Sequence, residues 1–234
     1  MVVLIVLIVL ALIALVIVSA INRKQEQEHA RRMAQRKLKV QVEAIVDVVN
    51  AIEHTVPNPL IAKYINDETI GLMQQILALE TRSKTHIESS IRHAVLRSED
   101  FALGKGYTNA TYQKDSDAQI TQTQVQLSEA VKILRHICAQ GKLNDVELEA
   151  FTGELSWAFL MVSVASFIAQ GYKFAALGDR FSAQGYFQKA QGLLMESSHS
   201  DPRRIRMIRE LSEIVEGSRK TISRDLLPER PIPD

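Results

Sequence analysis

The chain has 234 residues, a net charge of +1 and a single cysteine, Cys138. That length holds one sizeable domain plus an anchor, or two small domains. The charge balance excludes the strongly basic composition of a nucleic-acid binder, and one cysteine excludes an intrachain disulfide, as suits a reducing compartment.

Val2 to Ile21 is an unbroken apolar run with no charged residue and Ser19 as its only hydroxyl. As a helix it spans about 30 Å, the hydrocarbon thickness of a bilayer. The rival reading is a cleaved signal peptide. That requires a basic leader and a shorter apolar core, whereas Met1 is followed at once by Val2. The expectation is therefore a transmembrane anchor over residues 1–21. Immediately after it come Arg23, Lys24, Arg31, Arg32, Arg36, Lys37 and Lys39 against only Glu26 and Glu28. Such cations stay on the cytoplasmic side of a span, which predicts a single-pass cell-membrane protein with Met1 outside and the remainder cytoplasmic. The same seven residues are the candidate contacts to anionic membrane lipid.

Residues 22–56 read as a basic stalk passing into an amphipathic helix, with Leu38, Val42, Ile45, Val49 and Ile52 on one face. Pro57 and Pro59 end it. Asn66, Asp67 and Glu68 supply capping oxygens for a second helix expected to run to about Leu96. A polar stretch from Phe101 to Asp115 reads as a long loop. Within it Gly104-Lys105-Gly106 lacks the strand and helix of a phosphate loop. Asn109-Ala110-Thr111 has the form of a glycosylation acceptor, but the expected topology keeps it from the glycosylation machinery. A third helix is expected over Asp117–Gln140, stopped by Gly141, and a fourth is capped by Asn144.

Leu155 to Tyr172 holds eighteen uncharged residues, which admits either a buried core helix or a second span at 155–172. The densest apolar part, Trp157 to Ile168, is short for a span. Just downstream Phe167, Gly171, Phe174, Ala183, Phe187 and Ala190 fall at successive offsets of 0, 4, 7, 16, 20 and 23. Residues 164–197 thereby resemble a tetratricopeptide repeat, a helical hairpin of about 34 residues, with Gly178-Asp179 at the turn. The resemblance implies small residues where two helices cross closely and aromatic rings beside them. Met195 stands where the repeat has its closing proline, Gln170 replaces the usual leucine, and no second copy appears in register. A single repeat does not form the groove that stacked arrays use for peptides.

Asp201 and Pro202 open a last helix expected to bury Ile205, Ile208, Leu211, Ile214 and Val215 as a capping element. Arg203, Arg204, Arg206 and Arg209 crowd its first turns, where the helix dipole is positive. They are the candidate partner-binding residues. Residues 227–234 form a proline-rich tail.

The fold class expected is all-α: an N-terminal transmembrane helix, then a cytoplasmic helical domain over 57–226 with the repeat-like hairpin and the capping helix. The six histidines are scattered, and no helical zinc spacing, nucleophile elbow or nucleotide fingerprint stands out. No catalytic, metal or cofactor-binding residue is therefore assigned, and Cys138 reads as a small core hydrophobe. The function expected is that of a non-enzymatic membrane-anchored adaptor or scaffold that binds protein partners. The alternatives are an accessory subunit of a larger membrane complex with the second span, and a self-associating structural protein.

Overall fold

The computed structural model describes residues 2–80, 84–105 and 110–227; within the first helix, side chains are described at Leu15, Ser19 and from Ile21 onward. Asn109 of the acceptor triplet and the tail from Pro228 lie outside the described residues. Seven α-helices and no strand occur among the described residues: α1 Val2–Glu53, α2 Pro59–Leu79, α3 Thr85–Ala102, α4 Asp117–Ala139, α5 Asp145–Ala176, α6 Arg180–Glu196 and α7 Pro202–Val215.

Local chemistry places most of the boundaries. α1 contains neither glycine nor proline and runs for 52 residues without a break. Asn144 and Glu147 form a reciprocal capping box at the start of α5. Asp179 and Asp201 cap α6 and α7 with their side chains. Gly141 and Gly178 adopt positive φ (+73° and +80°) just past α4 and α5, where a side chain would be strained.

Two expectations are corrected. α2 starts at Pro59, capped by Asn58, whose side chain accepts the Leu60 N–H at 3.0 Å. A proline that cannot continue one helix is well suited to the first position of the next. Asn66, expected as the cap, instead lies buried within α2 and joins it to α3. Its Nδ2 donates to the Ala94 carbonyl at 2.7 Å and to Ser98 Oγ at 2.9 Å. The single helix expected from Asn66 to Leu96 is two, because α2 ends at Leu79 with Glu80 in extended conformation.

The buried side chains form two clusters that meet along α5. The first draws Val49 and Ile52 of α1, Ile61 and Ile65 of α2, Leu127 and Leu134 of α4, and Leu155, Ala158 and Val162 of α5. The second draws Trp157, Met161, Val164 and Ile168 of α5, Phe187 and Leu194 of α6, and Met207 and Leu211 of α7. Ile222, Leu226 and Leu227, from a strap that follows α7, complete it. α5 is the one helix among those described that is long and apolar enough to cross a membrane, with a mean hydropathy of 1.5 over its best 18-residue window. Its two buried faces account for that composition without a bilayer.

The α5–α6 hairpin is closely fitted. A Cβ at Gly171 would stand 2.6 Å from Phe187 Cε1, Phe174 stacks on Tyr186 at 5.3 Å, and Ala183 and Ala190 are buried. The repeat-like window 164–197 opens inside α5, a helix of 32 residues, rather than at a helix start. On α7 the expected seam is shifted: Met207, Glu210 and Leu211 are buried, while Ile205 is 60% exposed.

Replacing Gly171 by valine is expected to destabilise the fold by about 1–3 kcal/mol through overpacking against Phe187, and Phe187→Leu in the same chain should recover part of the loss. Gly192→Ala in α6, where an added Cβ meets nothing within 4 Å, should stabilise by roughly 0.5–1 kcal/mol. Thermal or urea unfolding of the three variants checks both signs.

Candidate functional site

Three of the four arginines of α7 are held by internal acceptors, each in a different way. Arg203 donates to both carboxylate oxygens of Asp201 at 2.7–3.2 Å and lies over the Trp157 ring at 5.0 Å. Arg204 Nη1 donates to the carbonyls of Leu194 and Ser197 at 3.0 and 2.7 Å, satisfying the end of α6. Arg206 pairs with Glu210 at 3.1 Å and with Asp225 at 2.5 Å. Arg209 is exposed and has no side-chain partner among the described residues. The crowding of positive charge at this helix start is thus largely answered by internal acceptors.

The strap after α7 is fastened by a buried carboxylate. Glu210 is 2% exposed and accepts from the Ser223 N–H at 2.8 Å and the Ser223 hydroxyl at 2.9 Å. It also pairs with Arg206 at 3.1 Å and Arg219 at 3.3 Å. Burial alone would raise its pKa, but the two Ser223 donors and the two guanidiniums together hold it below the usual glutamate value. Tyr172 accepts the Ile222 N–H at 2.8 Å, which ties the same strap to α5.

Beside the first turn of α7 lies a cleft of about 630 Å³, between the first half of α5, the Val56-Pro57 corner, Tyr112 and residues 199–203. Trp157 forms its floor, 4% exposed, with His199 tilted against it at 5.3 Å. The indole Nε1 has no acceptor among the described residues. His199 Nδ1 accepts the Asp201 N–H at 3.1 Å, which leaves Nε2 to donate to the Gly153 carbonyl at 3.1 Å. The hydrogen bond from Arg203 is the main cause that keeps the Asp201 carboxyl below the usual aspartate value; partial burial opposes it.

A second recess of about 570 Å³ sits near the closed end of the α5–α6 hairpin, lined by Tyr172, Lys173, Ala176 and Leu177 together with Gln113 and Asp115. At that end Leu177 is 72% and Phe181 89% exposed, an unusual display of large apolar side chains on a tight turn.

The seven cations of the stalk lie on α1. Arg32, Arg36 and Lys39 follow four- and three-residue steps, so that with Lys24 and Arg31 they gather on one side of the helix, while Arg23 and Lys37 lie off that side. Six are exposed; Arg31 is half-buried in a recess of about 480 Å³ shared with Leu79 and Glu80, and its Nε has no acceptor among the described residues. Arg32 stands 3.8 Å from Glu28. Cys138 is partly buried against the first cluster. Desolvation and the neighbouring Asp145 carboxylate raise its thiol pKa, the opposite of what a reactive thiolate requires. Among the described residues no group of three or more His, Cys, Asp or Glu side chains is arranged to hold a metal ion.

No protein-family description, curated protein or solved structure matches this chain.

Sequence reasoning passed over the cleft, the exposed hairpin end and Glu210. Trp157, the chain's one tryptophan, was the available signal for the cleft. Leu177 and Phe181 beside the Gly178 turn were the signal for the hairpin end.

Glu210 has a depressed folded-state pKa, so the stability it contributes is present above its unfolded value of about 4.3 and is lost as pH falls through the folded value. Glu210→Gln should lower stability at neutral pH by about 1–3 kcal/mol, because two arginines and Ser223 lose their charged acceptor. The gap between the variant and the parent should close as pH drops below about 4.3; urea titrations at stepped pH measure it.

Proposed function

We propose that the chain is a membrane-anchored, non-enzymatic adaptor whose helical body lies on the cytoplasmic side and binds partner proteins. The observation that carries this reading is the end of the α5–α6 hairpin. There Leu177 and Phe181 stand out at 72% and 89% exposure beside a recess of about 570 Å³. Exposed apolar groups of that size, rimmed by Lys173 and Arg180, suit a protein–protein contact. Arg209, exposed on α7, is the member of the arginine group free to meet a partner, whereas Arg203, Arg204 and Arg206 are engaged in internal pairs.

The membrane part of the proposal rests on the charge-free run Val2–Ile21 followed at once by seven cations on a continuing helix. Cations that directly follow an apolar run stay on the cytoplasmic side of a span. In this reading Arg23, Lys24, Arg31, Arg32, Arg36, Lys37 and Lys39 fix topology and touch anionic headgroups, and the hairpin over 164–197 works as a tetratricopeptide-like docking unit. A second reading, an accessory membrane subunit spanning again at 155–172, draws on the length and apolarity of α5. The burial of α5 between two clusters favours the first.

Crosslinking in native membranes followed by mass spectrometry tests the adaptor reading. Proteins captured by the parent chain are expected to be lost when Leu177 and Phe181 are both replaced by serine. Stability should stay within about 0.5 kcal/mol, as for exposed positions. Unchanged capture by that variant removes the hairpin end as the contact. A reporter fused after Asp234 should be found in the cytoplasm; an external reporter overturns the topology.

A further inference from the structure

The wall that α5 gives to the cleft beside α7 has a pattern of its own. Val146, Ala150, Gly153 and Trp157 all line the cleft, and their four-, three- and four-residue steps put them on one stripe of the helix. Val146 is 78% exposed and Ala150 is exposed as well. A glycine in mid-helix costs stability relative to alanine, yet nothing lies within 4 Å of where a Cβ at Gly153 would stand. Its absence of a side chain therefore fits no neighbour and leaves an open notch. Glu149 and Glu154 fall on opposite flanks of the stripe, both exposed. Among the described residues neither is paired with a cation, and Glu154 accepts from the neutral Asn58 amide at 2.9 Å. The other charges of the cleft answer each other, since Arg203 donates to both carboxylate oxygens of Asp201.

We infer that this cleft binds a short, positively charged segment of a partner protein. Charge decides the sign. Two carboxylates without a cation flank the stripe, so Lys or Arg side chains of the segment meet Glu149 and Glu154, while its apolar side chains cover Val146 and Ala150. The notch at Gly153 lets the backbone of the segment approach the helix closely. Size decides the form. A cleft of about 630 Å³ has the dimensions of a peptide or small-ligand site rather than of a broad interface between folded domains. The stripe from Val146 to Trp157 runs about 16 Å, which an extended chain covers with about five residues. The Val56-Pro57 corner, Tyr112 and residues 199–203 wall such a segment in. That the occupant is a protein rests on the adaptor reading; the place and the charge do not. Leu177 at the hairpin end lies about 30 Å farther along the same helix, so the two contacts are separate.

Trp157, the chain's one tryptophan, reports on the cleft directly through its fluorescence. The full chain in non-ionic detergent micelles is titrated with the peptide acetyl-Arg-Leu-Ala-Leu-Arg-amide and, separately, with acetyl-Glu-Leu-Ala-Leu-Glu-amide. The basic peptide is expected to shift the emission to saturation, and the acidic one to leave it unchanged. Raising the salt from about 0.05 M to about 0.5 M should weaken binding several-fold, because exposed charges are screened. Glu149→Gln together with Glu154→Gln, which keeps an acceptor for Asn58, should weaken it about five- to tenfold. Gly153→Leu, which fills the notch with no close contact at its Cβ, should abolish it with the unfolding midpoint unchanged or raised. No saturable shift at millimolar basic peptide, an equal response to the acidic one, or undiminished affinity in either variant overturns the inference. A chain carrying Leu177→Ser and Phe181→Ser should bind the basic peptide as the parent does. Loss of binding there assigns the peptide to the hairpin end and overturns this site, whereas the native crosslinks of that variant report on the adaptor reading separately.

Discussion

The architecture depends on α5 being buried on two sides at once. Leu155, Ala158 and Val162 belong to the cluster built with α1, α2 and α4, while Trp157, Met161, Val164 and Ile168 belong to the one built with α6 and α7. A helix that must satisfy two cores has little room for charge, and residues 155–172 carry none. Its length follows from the same demand, because the first cluster uses its N-terminal half and the second reaches to Tyr172. The capping box at Asn144 and the left-handed turn at Gly178 mark where that double duty begins and ends.

The second cluster would be open on one side without α7 and the strap. Met207, Leu211, Ile222, Leu226 and Leu227 close it, and what fastens the strap there is polar: a buried Glu210 gathering Ser223, Arg206 and Arg219. A carboxylate removed from water is tolerated only where donors surround it, and this one has two hydrogen bonds and two cations. The arrangement also explains the basic start of α7. Its guanidiniums reach the last carbonyls of α6, the Asp201 cap and the Asp225 strap, so charge that is awkward for the helix dipole becomes useful to the packing.

Much of this was legible in the residues. Asn144, Asp201-Pro202, Gly141 and Gly178 mark helix ends by mechanisms that act within four residues, and the structure uses each of them so. Asn66 misled because a buried interhelical amide and an N-cap look alike in one dimension; what separates them is α3, 28 residues away. The α7 seam misled for a similar reason, since a glutamate at a core position is intelligible only once Ser223 and Arg219 are beside it. The cleft was invisible to pattern reading altogether: Pro57, Tyr112, Trp157 and His199 come from segments 42 to 55 residues apart, and only folding makes them neighbours. The apolar run before Ile21 is the reverse case, plain in the sequence, with most of its side chains outside the described residues.

α1 has one further consequence. Its 52 residues contain no glycine or proline and make a rod of about 78 Å. Its last three turns are built into the first cluster through Val48, Val49 and Ile52. With no hinge between the two ends, a tilt imposed at the N-terminal end must appear as a rotation of the body at the other, and a load on the body must return along the same shaft. In the proposed membrane-anchored reading the helix would act as a lever as much as a tether, setting both standoff and orientation.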